Sequence, residues 1–108
     1  MEQYEVGLSD AAKKDLESIS SYILNELEAP QAAEEVLTDL ENAVASLCFL
    51  PERVALAREA AWKKRGVHAM VVRRYLLYFR IDEENRQVNV IRVIYGKRDQ
   101  AAQMEEDI

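Results

Sequence analysis

The sequence predicts an α+β domain: an N-terminal strand, then an antiparallel helix hairpin packed on one face of a mainly antiparallel four-stranded sheet. Three observations predict it. Apolar residues recur at helical spacing through two successive segments between residues 10 and 50. Pro30 stands at the junction between them. From Gly66 to Tyr95 the apolar period falls to two, in three runs divided by short polar turns. The chain has 108 residues, 49% of them hydrophobic, with only three glycines and two prolines. That composition supports a real core and a single domain over residues 1–108.

The first strand is "QYEVGLS", where Tyr4, Val6 and Leu8 alternate. Ser9 follows as a helix N-cap, with Asp10 favourable beside the positive end of the helix dipole. Ala12, Leu16, Ile19, Ile23 and Leu27 then form one helical stripe. Pro30 disfavours helical geometry at Ala29 and suits the first turn of a second helix. That helix carries Ala33, Leu37, Leu40, Val44 and Leu47 on its stripe and stops before Pro51. Neither helix can bury its stripe alone, and the short link makes them an antiparallel pair.

The strands that cover them are "VHAMVV", "YLLYFRID" and "QVNVIRVIY", joined at Arg73-Arg74 and at "EENR". They form a meander. The first strand is expected to join the same sheet beside the 67–72 strand. The tail "DQAAQMEEDI" is open to a last helical turn or to fraying.

Charge is distributed unevenly. The net value is −6. Residues 1–60 carry four cations against thirteen acids, a balance of −9, whereas residues 61–98 carry ten against three, a balance of +7. A general nucleic-acid binder is disfavoured, but one face suited to an anionic partner is not. No apolar run is long enough to span a membrane, and no basic region precedes an apolar stretch at the N-terminus. A cytoplasmic location is expected. Cys48 is expected to be a buried, inert thiol. His68 lies in a strand with no carboxylate or serine in a recognisable relation to it, so a structural role is expected. No metal-ligand cluster, phosphate loop or nucleotide-binding glycine pattern is present, and no cofactor or metal is called for.

Strand alternation sorts the faces. Tyr75, Leu77, Phe79 and Ile81 lie on one side of their strand; Leu76, Tyr78 and Arg80 lie on the other. In the last strand Ile91, Val93 and Tyr95 oppose Val90, Arg92 and Ile94. The helix hairpin is expected on the face without arginines, because burying an unpaired guanidinium is costly. Arg80 and Arg92 then point together from an uncovered face, and no acid within these two strands pairs them. Around that face stand Lys63, Lys64 and Arg65, then Arg73 and Arg74, then Lys97 and Arg98. Arginine suits phosphate and carboxylate because its fork donates two parallel hydrogen bonds. Tyr78 and Tyr95 are open either to stacking on a base or to packing.

The segments "LSDAAKKDLESISSYI", "LCFLPERV" and above all "RYLLYFRIDEE" with "VNVIRVIYGKRD" resemble the RelE/ParE superfamily of bacterial type II toxins, closer to the ParE side. The resemblance runs from Tyr4 to about Asp99. It implies a toxin neutralised by a small cognate antitoxin, with larger assemblies formed only through that complex. Apolar antitoxin side chains are expected beside Leu76, Tyr78 and Ile94, and acidic ones on Arg80 and Arg92. Two targets are implied by the superfamily. ParE-like members act on DNA gyrase, and RelE-like members cut messenger RNA on the ribosome. The cleaving pattern places an arginine where this chain has Tyr75. It matches at Arg98, and after Arg98 it lacks the usual tyrosine or histidine. Arg98 and Tyr95 are the best catalytic candidates for that mode. A gyrase-directed toxin is the favoured expectation, ribosome-dependent cleavage the alternative, and an inactive binding module of the same fold a third reading.

Overall fold

The computed structural model of the chain describes residues 3–96. Strand β1 (Glu5–Leu8) leads into helix α1 (Asp10–Ser21), which widens into a π-helical turn over Tyr22–Glu26. Helix α2 (Pro30–Ser46), a short helix α3 (Ala60–Lys64) and strands β2 (His68–Val72), β3 (Tyr75–Asp82) and β4 (Gln87–Tyr95) follow. The sheet is four-stranded in the order β1-β4-β3-β2. The expected α+β architecture, with a helix hairpin on one sheet face, is observed.

The expected cap is present. The Ser9 hydroxyl accepts from the Ala12 amide at 3.0 Å and donates to the Ile91 carbonyl at 2.9 Å. One side chain thus starts α1 and ties it to β4, at a typical worth of about 1 kcal/mol for the cap. Pro30 opens α2 at its first turn, and Glu28 just before it adopts a left-handed φ of 49°. Helix α2 ends at Ser46, earlier than the apolar stripe suggests; Leu50 beyond it has φ 44°.

The position of β1 differs from expectation. It runs parallel to β4, from Glu5 opposite Gln87 to Leu8 opposite Val90. The outer edge of β2 is already occupied. The Ala57 amide donates to the Val67 carbonyl at 2.9 Å, and the Ala69 amide to the Ala55 carbonyl at 3.2 Å. The edge of β4 was the one left for β1, and the helix hairpin supplies the crossover that a parallel pair requires.

The core lies between the hairpin and the sheet face bearing Tyr75, Leu77, Phe79 and Ile81, as alternation predicts. Leu77, Phe79 and Leu40 are fully buried there. Burial of each such side chain contributes about 1.5–3 kcal/mol. In β4 the simple alternation fails. Tyr78 pairs with Arg92 but Phe79 pairs with Val90, so Ile91 is an extra residue in a β-bulge. The bulge returns Val93 to the same core as Val88 and Val90. The expected opposition of Val90 and Val93 is thereby removed.

Candidate functional site

The second sheet face was expected to be bare, and it is not. The 54–67 segment folds back over it, and α3 lays Trp62 on Tyr78 with ring centroids 5.2 Å apart and planes 23° from parallel. The Tyr78 hydroxyl donates to Glu59 Oε1 at 3.4 Å. Ala57, Val67, Leu76 and Tyr78 form a second buried cluster, with Trp62, Ile91 and Ile94 packed against it. Leu76 and Tyr78 are therefore closed to a partner in this conformation, and Ile94 is only half-exposed. The physical cause is that both sheet faces are apolar, while the helix hairpin can cover only one. Trp62, set among small and charged residues, was the sequence signal of a second covering element.

The arginines disperse for related reasons. Arg92 reaches round the edge of β4 to α1, where Nε and Nη2 meet Asp15 Oδ2 and Oδ1 at 2.8 and 3.0 Å. The same carboxylate accepts the Val93 amide at 2.8 Å. The Asp15 hydrogen bond holds the Arg92 pKa above its ordinary value, against the opposing effect of burial. The expected unpaired Arg92 is thus corrected: its acid comes from a helix, not from the neighbouring strand. Nor do Arg80 and Arg92 align, because Arg80 faces Asn89 and Arg92 faces Tyr78. Arg80 is exposed.

Arg73 sits in the β2–β3 turn with φ 56° and forms an ion pair with Asp39 of α2. That hydrogen bond raises its pKa. Lys63 and Lys64 occupy the last turn of α3 and Arg65 follows it; all three are exposed. Cations there are favourable beside the negative end of the helix. Lys97 and Arg98 lie outside the described residues. At the strand exit before them, Gly96 donates its amide to the Arg74 carbonyl at 2.8 Å. A Cβ there would stand 3.0 Å from Leu76 Cγ, so the glycine answers a close approach.

His68 is structural in its contacts: Nδ1 lies 2.6 Å from the Val54 carbonyl and the ring stacks on Phe79 at 5.1 Å. Cys48 is half-buried and unbonded to another cysteine.

The structure does bring three of the expected residues together, in an unexpected place. Arg73, Arg74 and Tyr95 line a cleft of about 520 Å³ with Tyr75, the end of α1 and the start of α2. Tyr75 and Tyr95 meet edge to face at 5.5 Å. Burial raises the Tyr75 phenol pKa, and nearby Tyr95 and Tyr22 push the same way. The cleft floor is aliphatic, from Ile19, Ile23 and Val36. Sequence periodicity placed Ile19 and Ile23 in the core and offered no sign of a void between the hairpin and the β2–β3 turn.

A family model described as the ParE toxin of the type II toxin-antitoxin system, parDE, matches residues 6–100. No curated protein matches by sequence. Among solved structures, one is the chromosomal ParDE system from P. aeruginosa. It is 17% identical, covers 85% of this chain and 95% of its own, and has a TM-score of 0.70. Another is the RelBE2 toxin-antitoxin complex from Mycobacterium tuberculosis. It is 23% identical, covers 86% and 98%, and has a TM-score of 0.63. A mutant of E. coli RelE in the free state is 17% identical, covers 96% and 92%, and has a TM-score of 0.62. At these identities the likeness is one of fold.

Proposed function

The chain belongs to the ParE toxin family of type II toxin-antitoxin systems, and from that premise we propose that it arrests growth by binding DNA gyrase. A small cognate antitoxin neutralises it. The observation that carries the choice of target is the occupied second sheet face. Trp62, Tyr78 and Leu76 fill it with packed apolar surface, and Arg92 is committed to Asp15. Cleavage of RNA requires a poised base, an acid and a cation for the phosphorane. Among the described residues this face carries none of them as a set. Tyr75 faces the hairpin side, and the His68 Nδ1 is engaged by a carbonyl. Binding to a protein surface requires no such set.

The exposed run Lys63, Lys64 and Arg65 favours the second reading, ribosome-dependent cleavage of messenger RNA, because it offers a phosphate-binding rim. One comparison separates them. Purified chain is added to gyrase in a supercoiling assay, and transcripts from arrested cells are mapped by primer extension. Inhibited supercoiling with intact transcripts is expected. Codon-phased cuts with unimpaired gyrase would reject the gyrase reading.

A further inference from the structure

The cleft between the helix hairpin and the β2–β3 turn, about 520 Å³ in volume, lies in the size range of small-ligand sites. Its lining is of two kinds. One is aliphatic: Ile19, Ile23 and Val36 form the floor, and Leu27 stands at the lip. Leu27 is brought there by the π-helical turn, in which its amide bonds to the Tyr22 carbonyl five residues back. The other is a set of polar donors with nothing to donate to. Tyr75 and Tyr95 pair across β3 and β4 and are half-buried, and neither hydroxyl has a hydrogen-bond partner among the described residues. Burial keeps the Tyr75 phenol protonated by raising its pKa, so it remains a donor. A donor that a ligand cuts off from water needs an acceptor on that ligand.

Charge narrows the ligand further. Arg74 lines the same cleft, and its carbonyl is held by the Gly96 amide at 2.8 Å. Its guanidinium has no ion-pair partner among the described residues. Arg73 beside it is already neutralised by Asp39. The cleft thus offers one uncompensated positive charge. The adjoining hollow, lined by Glu34, Glu35 and Asp39, repels a polyanion. The ligand that matches has an apolar body, a single negative charge and acceptor oxygens at one end.

We propose that this cleft is a small-molecule site for a medium-chain aliphatic carboxylate. The hydrocarbon tail lies on Ile19, Ile23 and Val36. The carboxylate takes Arg74 as its counter-ion through paired N–H donors and accepts from the Tyr75 and Tyr95 hydroxyls. The two phenols stand on paired strands and Arg74 is tied to the same strand exit, so the polar end of the site is built before the ligand arrives. The site goes beyond the gyrase reading and does not depend on it.

The test titrates the full chain with decanoate, below its micellar concentration, by calorimetry and by NMR of the labelled carboxylate. A single equivalent should bind, with a shifted carboxylate resonance. Decanol lacks the charge and decyl phosphate carries nearly a second one; each should bind about tenfold more weakly or worse. Arg74→Gln should weaken decanoate by about tenfold and leave decanol unaffected. Ala32→Trp fills the cleft from an exposed position of α2 and should abolish binding of both. Equal affinity for the three ligands, uptake of several equivalents, or unaltered binding in both variants would mean adventitious uptake only and overturn the site. So would the absence of any decanoate binding. Binding seen only after Met104→Ser and Ile108→Ser would make the chain's own terminus the occupant and overturn it too. A concentration-dependent dimer that excludes decanoate would do the same in favour of a second copy. If a variant folds poorly, the comparison of the three ligands on the unaltered chain still decides.

Discussion

Asp15 and Arg92, 77 positions apart in sequence, meet through a paired hydrogen bond, and the same Asp15 carboxylate holds the Val93 amide. One side chain therefore joins α1 to β4 and closes the strand edge where β1 ends. Its own exposure is small, 15%, whereas Arg92 is 44% exposed. Water screens the pair from one side only.

Replacing Asp15 by alanine leaves a guanidinium and an amide without their acceptor. Stability should fall by about 2 kcal/mol, read as a lower urea midpoint. Arg92→Ala should cost less, because the amide keeps its partner. Equal losses in the two variants would contradict this account.

Trp62 is the chain's one tryptophan, and its stack on Tyr78 is the main apolar anchor of α3. Trp62→Ala should cost about 2–4 kcal/mol in global stability, whereas Trp62→Phe should recover most of it. Tryptophan fluorescence of the unaltered chain should shift in a single transition with the far-ultraviolet circular dichroism. A separate early fluorescence transition would show that α3 is no part of the cooperative unit.

Gly96 should not tolerate a methyl group well. Gly96→Ala sets a Cβ 3.0 Å from Leu76 Cγ, and the expected cost is about 1–2 kcal/mol. Combining it with Leu76→Val should give less than the sum of the two losses, since the smaller side chain relieves the contact.

Asp82 accepts from the Asn85 side chain and backbone, which lowers its pKa from 3.8. A carboxyl that is more acidic folded than unfolded adds stability above its unfolded pKa. That stability is lost as pH falls through the lower folded value. Asp82→Asn should therefore flatten the acid limb of the stability profile below about pH 4 and leave neutral pH behaviour nearly unchanged apart from the lost bonds. An unchanged acid limb would count against the bond.

Tyr75 gives the opposite limb. Its pKa is raised from 10.0, first by burial and then by Tyr95 and Tyr22. A phenol harder to ionise when folded contributes stability below its unfolded pKa, and loses it as pH rises through the folded one. Phenolate absorbance should contain a late-titrating component, and Tyr75→Phe should diminish it.

Much of this fold could be read from local pattern. Period two located the three meander strands, Ser9 and Pro30 marked the helix starts, and the Tyr75-Leu77-Phe79-Ile81 face packs against the hairpin as alternation requires. The failures share one cause. The β4 partner of β1, the Asp15 contact of Arg92 and the Trp62 cover over Tyr78 are all set by residues distant in sequence. The bulge at Ile91 carries no glycine or proline to announce it. A β-branched residue in a run of β-branched residues reads as one more rung, and the resulting change of face moved Val93 into the main core. The cation surface fared worst for the same reason, since pairing partners on α1 and α2 cannot be seen by inspecting strands. Lys97 and Arg98, expected at the rim of that surface, lie outside the described residues.

The closed edge of β4 bears on how the protein behaves when abundant. Beyond Val90, Ser9 and Asp15 take the main-chain groups that another strand would seek. Strand addition is thus blocked along the stretch of β4 that β1 does not cover. At the opposite border, β2 is covered only as far as Ala69, and Val71 stands 71% exposed just past that cover. If overproduced chain precipitates, the nucleating rung is there, and a lysine at position 71 is the substitution that should keep it dissolved.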